Sequence, residues 1–499
     1  MSQGEAGAPA RTGVLVATIL ASGMAFMDGS VVPVALPAIR GGLGASFTEA
    51  QWTSNAYTLT LAAFTLLGGA AGDAFGLRRV FMIGIALFGL ASAACGLATS
   101  AEMLIIARAI QGIGGALMVP GSLALISAHY PAAERGRAIG AWAAASSIAP
   151  AIGPILGGAL VDAGSWRAIF LINLPIALIA LLVCRRHVPA DAAHARQLMD
   201  WTGGALAVVG LGLVAFGLTR LGEGGADASR FIAWSATCVG AGVLVGFVVW
   251  ERMAPTPMMP LALFANRTFA GVNLLTLLLY FALSGALFFL PTALIQAHAY
   301  PATLAGSVFL PFVIVMALLS RYGGVLADRI GTRPCLTVGP ILTGIAFCLL
   351  APAVAHGGFW IAVVPVMLLM GLGMGITVAP LSTAVMNAAP EARRGAASGI
   401  NNAVARVASL LAVASLGIAI GAGFRVALAG ADSETARRVT EAGFGGTLAL
   451  ADGTATALWA QATVTGFAAA TLLCGVLAIL SGVIGWLTTG GTAEADPAG

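Results

Sequence analysis

Long apolar stretches separated by short polar connections run along most of the chain. Fourteen such runs are visible, and each is close to the roughly 20 residues that an α-helix needs to cross a bilayer. Their approximate limits are 14–36, 51–71, 80–100, 103–127, 138–162, 167–184, 201–220, 231–250, 269–291, 302–320, 334–354, 358–380, 397–422 and 460–487. None has the short alternating segments of a membrane β-barrel. The pattern predicts an all-α integral membrane protein with fourteen transmembrane helices.

Composition narrows the class of protein further. Of 499 residues, 59% are hydrophobic and 9% are charged, with a net charge of +4. A soluble domain carries about 25% charged residues, so this chain has too few to cover a water-exposed surface. That excludes a soluble enzyme, a disordered chain and a nucleic-acid-binding protein. The six cysteines form no CxxC motif and no cluster with histidine, so we predict no metal site.

The arginines predict an orientation. With the N-terminus placed in the cytoplasm, fifteen arginines fall in inner connections and seven in outer ones, as the positive-inside rule requires. We therefore expect both termini in the cytoplasm and a multi-pass protein of the cytoplasmic membrane.

An internal repeat predicts the domain organisation. The segment 68–79 (GGAAGDAFGLRR) recurs at 322–333 (YGGVLADRIGTR), and 131–140 (PAAERGRAIG) recurs at 390–399 (PEARRGAASG). Both pairs are eight helices apart, so the two halves share one topology, as in two-halved transporters. The expected parts are a tail at 1–13, a six-helix bundle at 14–184, two inserted helices with their linkers at 185–268, a second six-helix bundle at 269–487 containing a long outer loop at 423–459, and a tail at 488–499.

Two repeated loops, here called the gate loops, carry the clearest motif. Their glycines permit tight turns, and their carboxylates suit a bond to a helix N-terminus or to an arginine. The residues are Gly69, Asp73, Gly76 and Arg78 in the first loop and Gly324, Asp328, Arg329, Gly331 and Arg333 in the second. The spacing resembles the signature G-x-x-x-D-R-x-G-R-R of the major facilitator superfamily, from which the first loop departs at Ala74 and Leu77. The resemblance implies two helical bundles that work by alternating access.

The fourth run places an arginine inside the membrane. Arg108 and Gln111 share one helix face in LIIARAIQGIGGA. Asp28 in the first run lies at a matching depth, about 12 Å from the end of its run against about 9 Å for Arg108, and Asn55 falls nearby. A buried carboxylate beside an arginine can exchange a proton as its surroundings change, or it can be a static ion pair. The segment 27–39 (MDGSVVPVALPAI) resembles the first-span motif of the fourteen-span drug:proton antiporters. LIIARAIQGIGGA resembles the fourth-span motif of the major facilitator superfamily, in which the arginine is tied to proton coupling. These resemblances imply proton coupling at Asp28 and Arg108.

The fifth run contains IAPAIGPILGGAL, in which prolines interrupt the helix ladder and glycines allow close packing. Gly153, Pro154, Gly157 and Gly158 form the expected antiporter bend, since the segment resembles the motif G-x-x-x-G-P-x-x-G-G that marks antiporters. The alternative is a proline-containing helix of any transporter.

A polar and aromatic set predicts the substrate cavity. Arg406 lies about 15 Å into the thirteenth run, where it pairs structurally or meets an anionic substrate group. The expected cavity residues are Asn55, Gln111, Asn402, Arg406, Phe26 and Tyr280.

Together these features predict a transporter and not an enzyme, because the runs contain no nucleophile with an adjacent base. We expect a monomeric, proton-coupled antiporter that exports small amphiphilic compounds, with small molecules, protons and lipid as its partners and no cofactor beyond the proton gradient. The alternative is an exporter or facilitator of a specific endogenous metabolite, which can be anionic.

Overall fold

The structure is a computed structural model that describes residues 8–189, 200–222, 227–255, 257–446 and 453–489. Within these ranges the chain forms seventeen α-helices and no β-strand. Short 3₁₀ turns lie at Leu261–Ala265 and Glu391–Arg393, and a π-helical turn lies at Phe359–Val363. The expected all-α fold class is confirmed.

The helices follow the apolar runs in order. The first seven are α1 Ala8–Leu43, α2 Phe47–Phe75, α3 Leu77–Gly96, α4 Ala101–His129, α5 Ala132–Asp162, α6 Ala168–Leu171 and α7 Asn173–His187. The next are α8 Trp201–Gly222 and α9 Asp227–Met253. The last eight are α10 Arg267–His298, α11 Ala302–Ser307, α12 Phe309–Ile330, α13 Thr332–His356, α14 Val364–Asn387, α15 Arg394–Leu428, α16 Ser433–Ala442 and α17 Gly453–Thr488.

Thirteen helical stretches of the described chain are long and apolar enough to cross a membrane. The second expected span coincides with α2, which has 29 residues but is not among these thirteen. Many of its polar side chains are buried against other helices and do not face lipid, among them Gln51, Thr53 and Asn55. The chain is a multi-pass membrane protein.

The packing divides the chain into two units. Unit 1 comprises the described residues within 1–214, 238–258 and 301–306, and unit 2 those within 215–237, 259–300 and 307–499. The inserted helices α8 and α9 each contribute to both units. The sequence-based boundaries at 184/185 and 268/269 stay predictions.

Glycines set the helix crossings of unit 1. A Cβ atom at Gly68 of α2 would lie 2.1 Å from the backbone oxygen of Ala116 in α4, and one at Gly84 of α3 would lie 2.9 Å from the oxygen of Gly114. Real side-chain carbons do not approach so closely, so both crossings need glycine. By contrast, a Cβ at Gly69 would meet its nearest neighbour, Pro120, at 3.9 Å.

The same crossings recur in unit 2, at the offsets of the sequence repeat. A Cβ at Gly323 of α12 would lie 2.6 Å from the oxygen of Gly375 in α14, and one at Gly339 of α13 would lie 2.7 Å from the oxygen of Gly373. The repeat therefore preserves these close backbone approaches within each unit as well as the gate loops.

Two apolar clusters in unit 1 leave a polar level between them on α1. One cluster holds Ala21 and Met24, with residues of α2, α3, α4 and α7. The other holds Val31 and Val32, with residues of α3, α4, α6 and the segment before α6. Asp28 lies between them along the helix and is fully buried.

The crossing geometry predicts different effects at neighbouring glycines. Gly68→Ala should lower the melting temperature in detergent, because overpacking against a backbone oxygen costs about 1–3 kcal/mol. Gly69→Ala should leave it unchanged or raise it, since alanine favours a helix by up to ~1 kcal/mol over glycine. Gly323→Ala and Gly324→Ala repeat the comparison in unit 2. Equal melting temperatures within each pair would contradict this account.

Candidate functional site

The most deeply buried charges among the described residues form an ion pair in unit 1. Arg108 of α4 is 1% exposed and Asp28 of α1 is 0% exposed. Arg108 Nη1 donates to Asp28 Oδ2, and its Nε donates to the backbone oxygen of Thr53 in α2 at 2.8 Å. The guanidinium group therefore connects three helices.

Capping groups fix where α2 and α4 begin. Ser46 accepts from the backbone nitrogen of Glu49 at 3.2 Å, while the Glu49 carboxylate accepts from the Ser46 nitrogen at 2.7 Å, forming a capping box. Ser100 caps α4 in a similar way by accepting from Met103 N at 3.2 Å. These caps set the helical positions of Thr53 and Arg108 within their spans.

Amide and hydroxyl groups complete the surroundings of the ion pair. Asp28 Oδ1 accepts from Gln111 Nε2 at 3.1 Å and from Asn173 Nδ2 at 2.9 Å. The same two nitrogens donate to Ser92 Oγ at 3.1 and 3.0 Å. Gln111 Oε1 accepts from Arg108 Nη1 at 2.6 Å. All five side chains are buried, and together they are called here the Asp28 network.

Aromatic rings enclose the guanidinium group. Its central carbon lies 4.3 Å from the ring centre of Tyr57 and 5.6 Å from that of Phe170. Tyr57 is itself held by its hydroxyl, which donates to the backbone oxygen of Ala25 at 2.9 Å. A ring face attracts a cation more strongly where water is excluded. The two rings therefore stabilise the guanidinium group in addition to its hydrogen bonds.

The network can hold a charged carboxylate in the bilayer. Moving an ion out of water costs several kcal/mol, which is repaid only when its partners are well placed. Asp28 meets this condition, because it accepts from a cation and two amides. Arg108 in turn donates to Thr53 and Gln111 as well as to Asp28. The pair therefore meets the conditions for an ion pair buried away from water.

The other expected residues of unit 1 lie near this level but outside the hydrogen-bonded network. Asn55 is 1% exposed, and neither its amide oxygen nor its amide nitrogen has a hydrogen-bond partner among the described residues. Phe26 is partly buried and packs on the apolar cluster that lies on the N-terminal side of Asp28 along α1. Of the predicted cavity residues in unit 1, Gln111 is hydrogen-bonded to both members of the ion pair.

The expected residues of unit 2 lie on α10 and α15. Tyr280 and Arg406 are half-buried, and Asn402 is exposed and donates to its own helix at Ser398 O over 3.0 Å. Beside them lies a neutral amide network that sequence reasoning missed. Asn401 Nδ2 donates to Asn273 Oδ1 at 3.2 Å and to Thr276 Oγ1 at 2.8 Å.

The predicted antiporter bend lies on α5, which continues unbroken through Pro150 and Pro154. Its glycines face two directions. Cβ atoms at Gly153 and Gly157 would lie 2.2 and 2.3 Å from side-chain atoms of α1. A Cβ at Gly158 would lie 2.4 Å from the oxygen of Ala302 in α11. At the end of the same helix, the Asp162 carboxylate accepts from the backbone nitrogens of Ala302 and Thr303 at 2.9 and 2.8 Å.

The gate loops turn at equivalent glycines. Gly76 and Gly331 have φ values of 101° and 85°, a region that favours glycine. The arginine two residues later reaches the end of another helix in its own unit. Arg78 donates to the oxygen of Arg185 at 2.8 Å, and Arg333 donates to the oxygen of Trp486 at 2.9 Å.

These bonds satisfy carbonyl groups near the C-terminal ends of α7 and α17. Arg329 is exposed. The side chains of Asp73 and Asp328 lie outside the described residues, so their expected role as latches stays a prediction.

Sequence reasoning missed Asn173 and Ser92. Asn173 belongs to WRAIFLINLP, where an amide interrupts an apolar run two residues before a proline. Pro175 has no N–H to donate to the carbonyl of Leu171, and the structure separates α6 from α7 at Ile172. An amide next to such a break was the available signal. Ser92 gave no signal, because serines are common in these apolar runs.

The ion pair predicts strong coupling between two substitutions. Arg108→Gln should destabilise the protein by about 3–5 kcal/mol, because it leaves a buried carboxylate without its cation. The double variant Arg108→Gln with Asp28→Asn should recover much of this lost stability. Thermal unfolding in detergent would measure the stability of each variant. Arg437→Gln on the exposed helix α16, where Arg437 pairs with Glu434, is the control and should cause no measurable change. Additive losses at Asp28 and Arg108 would contradict the coupling.

Two solved structures with a similar fold are transporters. A bacterial homologue of the human lysosomal transporter Spinster, in an inward-facing and occupied conformation, aligns with a TM-score of 0.69 and 17% identity over 98% of this chain and 99% of that one. The xylose transporter XylE from E. coli, in an inward-open conformation, aligns with a TM-score of 0.60 and 14% identity over 96% of each chain. These similarities establish the fold.

Similar sequences carry names of resistance and export. The multidrug resistance protein Stp of Mycobacterium tuberculosis is 34% identical over 82% of this chain and 75% of its own. The methylenomycin A resistance protein of Bacillus subtilis is 34% identical over 84% and 92%. The tetracenomycin C resistance and export protein of Streptomyces glaucescens is 32% identical over 81% and 75%.

The family model of the Major Facilitator Superfamily matches residues 18–413, which include the Asp28 network and both gate loops. The match covers well over half of the chain and agrees with the structural and sequence similarities. The chain therefore belongs to the Major Facilitator Superfamily of membrane transporters.

Proposed function

We propose that the protein exports small amphiphilic compounds across the cell membrane in exchange for protons, by alternating access. The observation that carries the proposal is the buried Asp28–Arg108 pair, because an ionisable group inside a membrane is costly and typical of a proton or substrate pathway. The names of the relatives supply the substrate class. They include resistance or export proteins for methylenomycin A, tetracenomycin C and puromycin.

Proton exchange at Asp28 would supply the coupling. In the ionised state, Asp28 binds Arg108 and the two amides of its network. A proton arriving from the aqueous phase neutralises the carboxylate and removes its attraction to Arg108. Because Arg108 stays bound to Thr53 and Gln111, the change in charge alters the packing of α1 against α4 without displacing the arginine.

Export also requires an orientation in the membrane and a driving force. The distribution of arginines supports cytoplasmic termini, which places both gate loops on the cytoplasmic side. The proton gradient then drives export as protons enter through the same cycle. One chain contains both repeats, which supports a functional monomer.

A toxicity panel would identify the substrate class. Cells that lack their own efflux pumps would express the protein and be exposed to puromycin, methylenomycin A, tetracenomycin C and ethidium. We expect a rise in the inhibitory concentration of at least one compound, and none with Asp28→Asn. Equal sensitivity with and without the protein across a wider panel of amphiphilic compounds would contradict drug export.

Transport in proteoliposomes would test the coupling. With a substrate from the panel, an imposed pH gradient should drive uptake in the wild type, and Asp28→Asn should reduce that rate by roughly tenfold or more because it removes the titratable group. Asp432→Asn is the matched control: Asp432 accepts from Thr435 N at 2.9 Å to cap the exposed helix α16, and asparagine caps equally well.

Three results would decide whether Asp28 carries the coupled proton. Wild-type transport that depends on the gradient and survives Asp28→Asn would refute Asp28 as the proton carrier. Transport indifferent to the gradient would favour a facilitator of a specific metabolite. Loss of transport in Asp432→Asn as well would show that the assay reports folding and not coupling.

A further inference from the structure

Asn173 has a buried acceptor that the ionised network does not use. Its side chain is fully buried, and its Nδ2 makes both of its hydrogen bonds, to Asp28 Oδ1 at 2.9 Å and to Ser92 Oγ at 3.0 Å. Its Oδ1 has no hydrogen-bond partner among the described residues. An unpaired buried carbonyl costs about 1–3 kcal/mol, so its retention here calls for an explanation.

A protonated Asp28 would need the opposite kind of partner. The ionised carboxylate accepts only, whereas the protonated acid has one O–H that must donate. Two acceptors share their donors with the Asp28 carboxylate, and both are already occupied. Gln111 Oε1 accepts from Arg108 at 2.6 Å, and Ser92 Oγ accepts from two amides while donating to Phe170 O at 2.9 Å.

We propose that Asn173 is a positioning residue whose amide follows the protonation state of Asp28. It donates to the ionised carboxylate. When a proton from the aqueous phase binds to Oδ1, the amide turns by about half a rotation and its oxygen accepts the new O–H. The proton returns to the aqueous phase when the amide turns back. This inference rests on the proposed exchange of protons at Asp28.

The position of Asn173 suits such a rotation. It is the first residue of α7, directly after the break between α6 and α7 at Ile172. Gln111, the other amide on Asp28 Oδ1, lies in the middle of α4 and is held through both of its amide atoms. When the amide turns, Asn173 Nδ2 gives up its bonds to Asp28 and Ser92. The Ser92 hydroxyl can then turn from Phe170 O and donate to the Asn173 oxygen, which keeps these two side chains bonded to each other.

Infrared difference spectroscopy would test whether the Asn173 amide follows the protonation of Asp28. Spectra of the purified protein in lipid nanodiscs would be compared between neutral and acidic buffer. Acidification should produce a carboxylic C=O band that Asp28→Asn abolishes. In Asn173→Leu the band should move to higher frequency, because the O–H of Asp28 loses its acceptor. Asn401→Leu removes an amide that binds Asn273 and Thr276 in unit 2, and it is the control that should leave the band in place.

The outcomes separate the two proposals. A band that persists in Asp28→Asn would overturn proton binding at Asp28 and this inference with it. A band that belongs to Asp28 but keeps its frequency in Asn173→Leu would overturn the role of Asn173 alone. Gradient-driven transport should fall about tenfold in Asn173→Leu, the loss expected for one hydrogen bond made to a charged or reacting group.

A second measurement covers the case in which Asn173→Leu fails to fold. Wild-type protein carrying ¹³C-labelled asparagine should show, in the same difference spectrum, an amide band that shifts with the label. That band should disappear in Asp28→Asn, because the amide turns only when Asp28 is protonated. A spectrum without any asparagine band that depends on Asp28 would overturn the rotation.

Discussion

The structure of unit 1 depends on placing one ion pair where water is excluded. Attraction between Asp28 and Arg108 is strong at low dielectric constant, but so is the penalty for dehydrating each ion. The pair is stable only because every neighbouring helix supplies a group. Helix α2 gives the carbonyl of Thr53 and the ring of Tyr57, α4 gives Gln111, and α7 gives the amide of Asn173. These helices cannot move independently without leaving a charge unsatisfied.

Close backbone crossings make this arrangement possible. Within unit 1, glycines at Gly68 and Gly84 bring α2 and α3 against α4, which carries Arg108. Unit 2 has the same crossings at Gly323 and Gly339 and contains a neutral amide network around Asn401. The duplicated backbone thus supports a different polar network in each unit.

Much of the fold could be predicted from the sequence because apolar length and helical rise are sufficient to place spans and depths. The common depth of Asp28 and Arg108 follows from this, and the structure brings the two together. The direction in which a side chain points around its helix is harder to predict, since each residue turns that direction by about 100°. The gate-loop motif pointed to Gly69, whereas the close crossing of α2 with α4 lies at Gly68. Asn173 escaped notice because its role depends on a helix break, which apolar patterning does not encode.

A single carboxylate in the Asp28 network also determines how voltage enters the proposed cycle. If one proton is exchanged for each substrate, export of a monovalent cation moves no net charge, and only the pH difference drives it. Export of a neutral compound carries one positive charge inward, so a membrane potential of 100 mV adds about 2.3 kcal/mol. One protein would then expel neutral compounds with the help of the membrane potential and cationic compounds without it.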